Sequence, residues 1–177
     1  MIIVYLLLGL IALFLIVAAI AGTAWSYEQS IQIAAPPDRV WQNVGTLHAI
    51  NQWNPWMGLD PNMQVKYVGV DGKPDAAFSW DSPVKTVGAG TQIILKVAAP
   101  SELKTRVDFL RPFKSVGYAD FKVIPDDRTT RVSWSIRSKM PYPINIVKVF
   151  GGIQRNMGRD FGRGLNKLKT LSEGTAK

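Results

Sequence analysis

Between Pro143 and Leu171 the apolar residues recur at three- and four-residue steps, whereas before it they recur at every second residue. That change of period constrains the fold most, because a helix gathers the first pattern on one side and a strand the second. Ile146, Val149, Phe150, Ile153, Met157, Phe161, Leu165, Leu168 and Leu171 form one predicted helical stripe. Arg155, Arg159, Arg163 and Lys167 follow four-residue steps on another face. Gly151, Gly152, Gly158, Gly162 and Gly164 interrupt the segment, each costing about 1 kcal/mol against alanine. Such a helix needs a broad surface to lie on.

The residues upstream supply one. From Met63 to Ser138 the chain reads as antiparallel strands separated by Asp71-Gly72, Gly88-Ala89-Gly90, Ala99-Pro100-Ser101 and Pro125-Asp126-Asp127. Leu103, Val107 and Phe109 alternate with Lys104, Arg106 and Asp108, and Val132, Trp134 and Ile136 alternate with Arg131, Ser133 and Arg137. One face of this sheet is suited to water and the other requires a cover. An earlier strand runs from Tyr27 to Ala34, after which Ala35-Pro36-Pro37-Asp38 opens a short helix bearing Val40, Trp41 and Val44. The stretch from His48 to Pro61 is aromatic and reads as irregular.

Ile2 to Ala21 carries no charge, and the first charged side chain is Glu28. As a helix this segment is about 30 Å long, enough to cross a bilayer core. Trp25 and Tyr27 follow at the depth of a membrane interface. Ala19-Ile20-Ala21 would suit a signal-peptide cleavage site, but the apolar run exceeds the usual length and lacks a basic start. The expectation is a retained single-pass membrane anchor over residues 1–25 and one domain over 26–177, on an undetermined side of the membrane. The chain has no cysteine and one histidine, which removes disulfides, thiolate chemistry and histidine-rich metal sites. Its net charge of +8 favours anionic surfaces.

Four stretches resemble a known family. Ser30-Ile31-Gln32-Ile33-Ala34-Ala35-Pro36-Pro37-Asp38-Arg39-Val40-Trp41 looks like its first strand and helix entry, and Trp53-Asn54-Pro55-Trp56 like its tryptophan-rich segment. Val87-Gly88-Ala89-Gly90-Thr91 looks like a mid-sheet turn, and Thr129-Thr130-Arg131-Val132-Ser133-Trp134 like the last strand. In these the chain resembles the SRPBCC or START-like superfamily, in particular its bacterial polyketide cyclase/dehydrase-type members. The likeness spans Tyr27 to Leu171. It implies an α+β helix-grip fold, with a curved antiparallel sheet wrapped on a long C-terminal helix, here preceded by a transmembrane helix. It also implies an apolar cavity for lipids, isoprenoids, sterols or polyketides between sheet and helix.

Trp53, Trp56, Phe78, Trp80, Phe109, Trp134, Met157 and Phe161 are the expected lining of that cavity, and Arg155, Arg159, Arg163 and Lys167 the expected membrane-facing surface. Gly158 and Gly162, one turn apart, open a smooth patch that either a ligand or a strand could approach. Gly88-Ala89-Gly90 precedes a strand and not a helix, so it reads as a turn and not a phosphate cradle. Phe78, Trp80 and Trp134 fall at inward strand positions, which disfavours nucleic-acid stacking. His48, Asp75, Asp81 and Asp108 are the available acids and bases, and no spacing forces two of them together. No catalytic residue, metal or cofactor is therefore expected. The function that follows is hydrophobic-ligand binding at a membrane, with a cyclase/dehydrase-like enzyme or an accessory subunit of a membrane complex as rivals.

Overall fold

In the computed structural model, which describes residues 1–174, the apolar N-terminal run forms helix α1 (Ile2–Ile20). Of its residues only Ala18 is buried, and the helix is long and apolar enough to cross a membrane. Strand β1 (Ala24–Ile33) starts after only Ala21, Gly22 and Thr23. Two short helices follow. Pro37 stands at the first position of α2 (Pro37–Trp41), where its missing N–H and fixed φ are harmless. Helix α3 (Leu47–Trp53) occupies the start of the stretch read as irregular, because the Thr46 hydroxyl accepts from the Ala49 amide and caps it.

The sheet continues as β2 (Gln64–Val68), β3 (Ala77–Asp81), β4 (Ala89–Ala98), β5 (Glu102–Arg111), β6 (Ser115–Asp126) and β7 (Thr129–Lys139). All neighbours are antiparallel, in the order β1-β7-β6-β5-β4-β3-β2, so the first strand closes against the last. Register puts Ile33, Phe78, Ile94, Leu103, Phe121, Val132 and Trp134 on the inner face, where they are buried. Lys104, Arg106, Asp108, Asp120 and Arg137 share the outer face, paired as Lys104–Glu102, Arg106–Asp108 and Arg137–Asp120.

The closing segment is not one helix. Ile144–Phe150 forms a 3-10 helix, Gly151 turns the chain at φ 68°, and helix α4 runs over Gly152–Glu173. A left-handed residue costs glycine nothing and ends the first helix. The predicted stripe is corrected accordingly: Val149 lies exposed on the 3-10 helix, and Leu171 is also exposed at the far end of α4. Leu171 follows Leu165 and Leu168 by two three-residue steps, each about 60° short of a full turn in a helix of 3.6 residues per turn. By the last turn Ser172 takes the buried place, receiving a bond from Asn43 Nδ2 at 3.1 Å. Phe161, Gly164, Leu165 and Leu168 hold the centre of α4 against the sheet.

Candidate functional site: an aromatic interior open at one end

The sheet's inner face and α4 bring the predicted lining residues into one cluster. Trp134 on β7 stacks on Phe161 of α4, ring centroids 3.8 Å apart and 12° from parallel. Trp53 at the end of α3 meets Trp134 edge-on at 5.3 Å, and Trp56 reaches Trp134 at 5.9 Å and Phe161 at 6.4 Å. On the other side of the interior Phe78 and Trp80 stack at 5.9 Å, and Trp80 meets Phe109 edge-on at 6.1 Å. Met157, one turn before Phe161, packs against the same core. The indole donors are satisfied, Trp53 Nε1 by the Asn43 carbonyl at 2.8 Å and Trp80 Nε1 by the Val87 carbonyl at 3.2 Å. Both rings can therefore present apolar faces without an orphaned N–H.

Burial is graded along this interior. Around the second half of α4, Ile33, Val40, Leu103, Val132, Leu165 and Leu168 are sealed from solvent. Around its first turns, Ile153, Met157, Tyr27, Ile136, Trp80 and Phe109 are only half-buried. The half-buried end adjoins α1, since β1 begins there and β7 ends there. The interior is thus closed to solvent at one end and partly exposed at the end next to the apolar helix.

Several contributors were not singled out in the sequence. Tyr27 approaches Phe161 edge-on at 5.2 Å, and Phe121 stacks with Trp134 at 5.7 Å. Gln92 and Thr105 form a buried polar pair on the inner face, Gln92 Nε2 donating to Thr105 Oγ1 at 3.0 Å and that hydroxyl to the Ala119 carbonyl at 3.2 Å. Each sits at an inward strand position within an alternating run, which was the available clue.

The glycines of α4 resolve in favour of a strand. A Cβ on Gly158 would stand 3.0 Å from the Tyr27 hydroxyl, and one on Gly162 3.3 Å from Gln29 Nε2, both side chains of β1. Gly164 is the most confined, with Pro55, Trp134 and Trp53 within 3.5 Å of where its Cβ would be. They let the helix lie close on the sheet.

The acid and base candidates do not converge. Asp108 binds Arg106 on the outer face, Asp81 binds Arg111, and Asp75 sits in a turn at φ 67°. His48, exposed at the start of α3, stacks on Tyr67 at 3.6 Å and approaches Asp71 Oδ2 through Nδ1 at 2.6 Å. Burial alone would raise the Asp71 carboxyl, but hydrogen bonds from the backbone and ring of His48 and from the amides of Leu47 and Gly72 outweigh it and hold its pKa below the ordinary value. That carboxylate clamps the start of α3 and does not face the interior. Asp60 is buried but committed to Ser82 Oγ at 2.5 Å and the Asn62 amide at 2.9 Å. Among the described residues no three His, Cys, Asp or Glu side chains group as metal ligands.

Arg155, Arg159, Arg163 and Lys167 are all exposed along α4, with Arg159 and Arg163 sharing Asp160 at 3.5 and 3.4 Å. Two depressions on the sheet can be described. One of about 290 Å³ lies at Ser30, Ile31, Gln32 and Arg131, and one of about 850 Å³ at Trp25, Ser26, Tyr118, Arg137 and Lys139. Neither lies between the sheet and α4.

The fold is shared with solved structures of low sequence identity. Norcoclaurine synthase from Thalictrum flavum, solved with dopamine and hydroxybenzaldehyde, aligns with a TM-score of 0.66 at 12% identity, over 92% of this chain and 94% of that one. A Chromobacterium violaceum protein aligns with a TM-score of 0.61 at 15% identity, over 85% and 98%. The protein Ara h 8.0201 aligns with a TM-score of 0.59 at 10% identity, over 86% and 99%. A search of curated proteins finds no match. The model of one family covers residues 24–173, the whole of the sheet and α4, and the chain belongs to that family, described as polyketide cyclase / dehydrase and lipid transport.

Proposed function

We propose that this chain holds a hydrophobic small molecule, a lipid, isoprenoid or polyketide-like compound, between the sheet and the first half of α4. In this reading α1 is a retained single-pass anchor and residues 26–177 form the binding domain. The observation that carries it is the graded burial, which leaves the half-exposed end of an aromatic interior beside the helix suited to a bilayer. A ligand entering there displaces Trp80, Phe109 and Met157, which are half-buried, and leaves the sealed end intact. Burial supplies the affinity, at about 25 cal/mol per Å² of apolar surface. Gln92 with Thr105, buried, and Tyr27 with Gln29, half-buried, offer polar groups placed to orient a hydroxyl or carbonyl. A family whose description includes lipid transport supports the same chemistry.

One observation favours a second reading. Trp53 and Phe161 are fully buried and the interior is occupied by side chains, as in a domain that serves only as a subunit of a membrane complex. The cyclase or dehydrase reading has less support, since the buried polar pair of the inner wall contains neither an acid nor a base. Native mass spectrometry of the full chain, extracted gently from membranes, tests the first reading. A co-purifying hydrophobic compound is expected, and Trp80→Ala is expected to weaken the binding of a fluorescent fatty-acid or sterol probe. No bound compound and no probe binding in the parent protein would favour the subunit reading.

A further inference from the structure

The two ends of the sheet differ in charge and polarity. At the end remote from α1, Asp71, Asp75, Glu102, Asp126 and Asp127 outnumber Lys73, Lys96 and Arg128. At the α1 end the charged groups are Lys85, Arg111, Lys114, Lys139 and Lys148, against Asp81, which is paired with Arg111, and Asp60, which is buried. Apolar side chains stand out of the same end. Phe113 in the β5–β6 turn is 76% exposed, and Leu110 beside it is also exposed. Ile144, Val147 and Val149 are exposed on the 3-10 helix, with Tyr142 before it.

The 3-10 helix is fixed to the end of α1. Asn145 is buried, and its Nδ2 donates to the carbonyls of Ala18 at 2.6 Å and Gly22 at 2.7 Å. These carbonyls belong to the last turn of α1 and the residues after it, which have no helical partner of their own. Lys148 Nζ adds a bond to the Ala24 carbonyl at 2.9 Å, and the Met140 amide one to the Thr23 carbonyl at 2.9 Å. Residues three apart eclipse in a 3-10 helix. Asn145 and Lys148 therefore face the joint, while Ile144 and Val147 share an adjacent, exposed edge. β6 and β5 lie two and three strands from β1, about 10 and 14 Å at the usual spacing. The Phe113 turn is therefore close to where α1 meets the domain.

We infer that this end of the domain is a second membrane contact. The 3-10 helix and the β5–β6 turn insert their apolar side chains into the headgroup region of an anionic bilayer while Lys85, Lys114 and Lys139 meet the lipid phosphates. The inference rests on α1 crossing the membrane. Mixed apolar and basic surface is what interfacial binding requires, and here it is continuous with the spanning helix. It orients the half-exposed end of the interior toward the lipid. Arg155, in the first turn of α4, adjoins this foot, whereas Lys167 stands about 18 Å further along the axis.

Because the full chain has no cysteine, single sites can be labelled. Phe113→Cys, Lys114→Cys, Val147→Cys, Arg163→Cys, Asp127→Cys and Leu8→Cys would each carry an environment-sensitive fluorophore. The full-length proteins would be placed in phosphatidylcholine/phosphatidylglycerol nanodiscs with nitroxide-labelled lipids. Labels at 113, 114 and 147 are expected to be quenched several-fold more than that at 127, and less so at high salt or without phosphatidylglycerol. The inference is overturned if 113 and 114 are quenched no more than 127, even when 147 is, since 147 alone reports nearness to α1. Quenching at 163 in place of 113 overturns it too, by laying the domain on α4. Quenching indifferent to salt and lipid charge overturns the anionic partner. The label at position 8 separates the failures: unquenched by deep nitroxides, it sinks the anchor itself, and quenched while 113 is not, it sinks the foot alone.

Discussion

Trp134 and Phe161 lie face to face, 3.8 Å between ring centroids, and so join the last strand to the middle of the closing helix. Both are buried, and Trp53, Trp56 and Tyr27 pack edge-on around them. Trp134→Ala and Phe161→Ala should each lower stability by about 3–5 kcal/mol, the range for emptying a large aromatic site. A double-mutant cycle read by denaturant unfolding should give a coupling of about 0.5–1.5 kcal/mol beyond lost area. A coupling near zero would mean that the two rings pack independently.

Asp71 gives the fold an acid-sensitive fastening. Its pKa lies below the ordinary aspartate value of 3.8, so the carboxylate is favoured in the folded state. The stability it contributes is fully present above 3.8 and is lost as pH falls through the lower folded value. Asp71→Asn should therefore unfold more easily than the parent at neutral pH, and the difference should shrink as the pH is taken below the carboxylate range. Melting curves of both proteins from neutral to acid pH measure this, and a gap that widens toward acid would refute it.

Removing residues 1–22 should leave a folded domain, because α1 buries only Ala18. Asn145→Ala then separates joint from domain. In the full chain it strips the buried Ala18 carbonyl and the more exposed Gly22 carbonyl of their donor and should cost about 1–3 kcal/mol, while in the truncated chain the cost should nearly vanish. The Oδ1 of Asn145 is buried without a partner, so this amide is held for its donor side alone. Differential scanning calorimetry of the four proteins decides the matter.

Reversing the charge of Arg155, Arg159 and Arg163 tests the exposed row on α4. If that row contributes to lipid contact, the triple variant of the truncated domain should lose salt-sensitive co-sedimentation with anionic liposomes. Unchanged co-sedimentation would leave the row a solvated face.

Legibility followed the range of the interactions. Alternation in β5 and β7 and the helical spacing from Ile153 to Leu168 are local patterns, and they led to the sheet, its covering helix and the aromatic cluster. The break at Gly151 was hidden because apolar residues keep their helical spacing across it, and the paired glycines read as interruptions and not as a stop. Helix α3 was obscured by the aromatic density of its segment, although Thr46 before Leu47, Ile50 and Trp53 is a capped amphipathic turn. Asn145 was beyond reach, since its partners lie more than 120 residues upstream. The trace it leaves is one amide set between Ile144 and Ile146.

Only Ala21, Gly22 and Thr23 connect α1 to the sheet, and three extended residues reach about 10 Å. With α1 in a bilayer, the domain can slide in two dimensions but cannot leave its own leaflet. Under the proposed function, a lipid it takes up comes from that membrane or from a protein touching it. A ferry crossing the aqueous space between two membranes is a task for a free or long-tethered domain. A chain built like this one is suited to handing cargo to a neighbour or to keeping it on site.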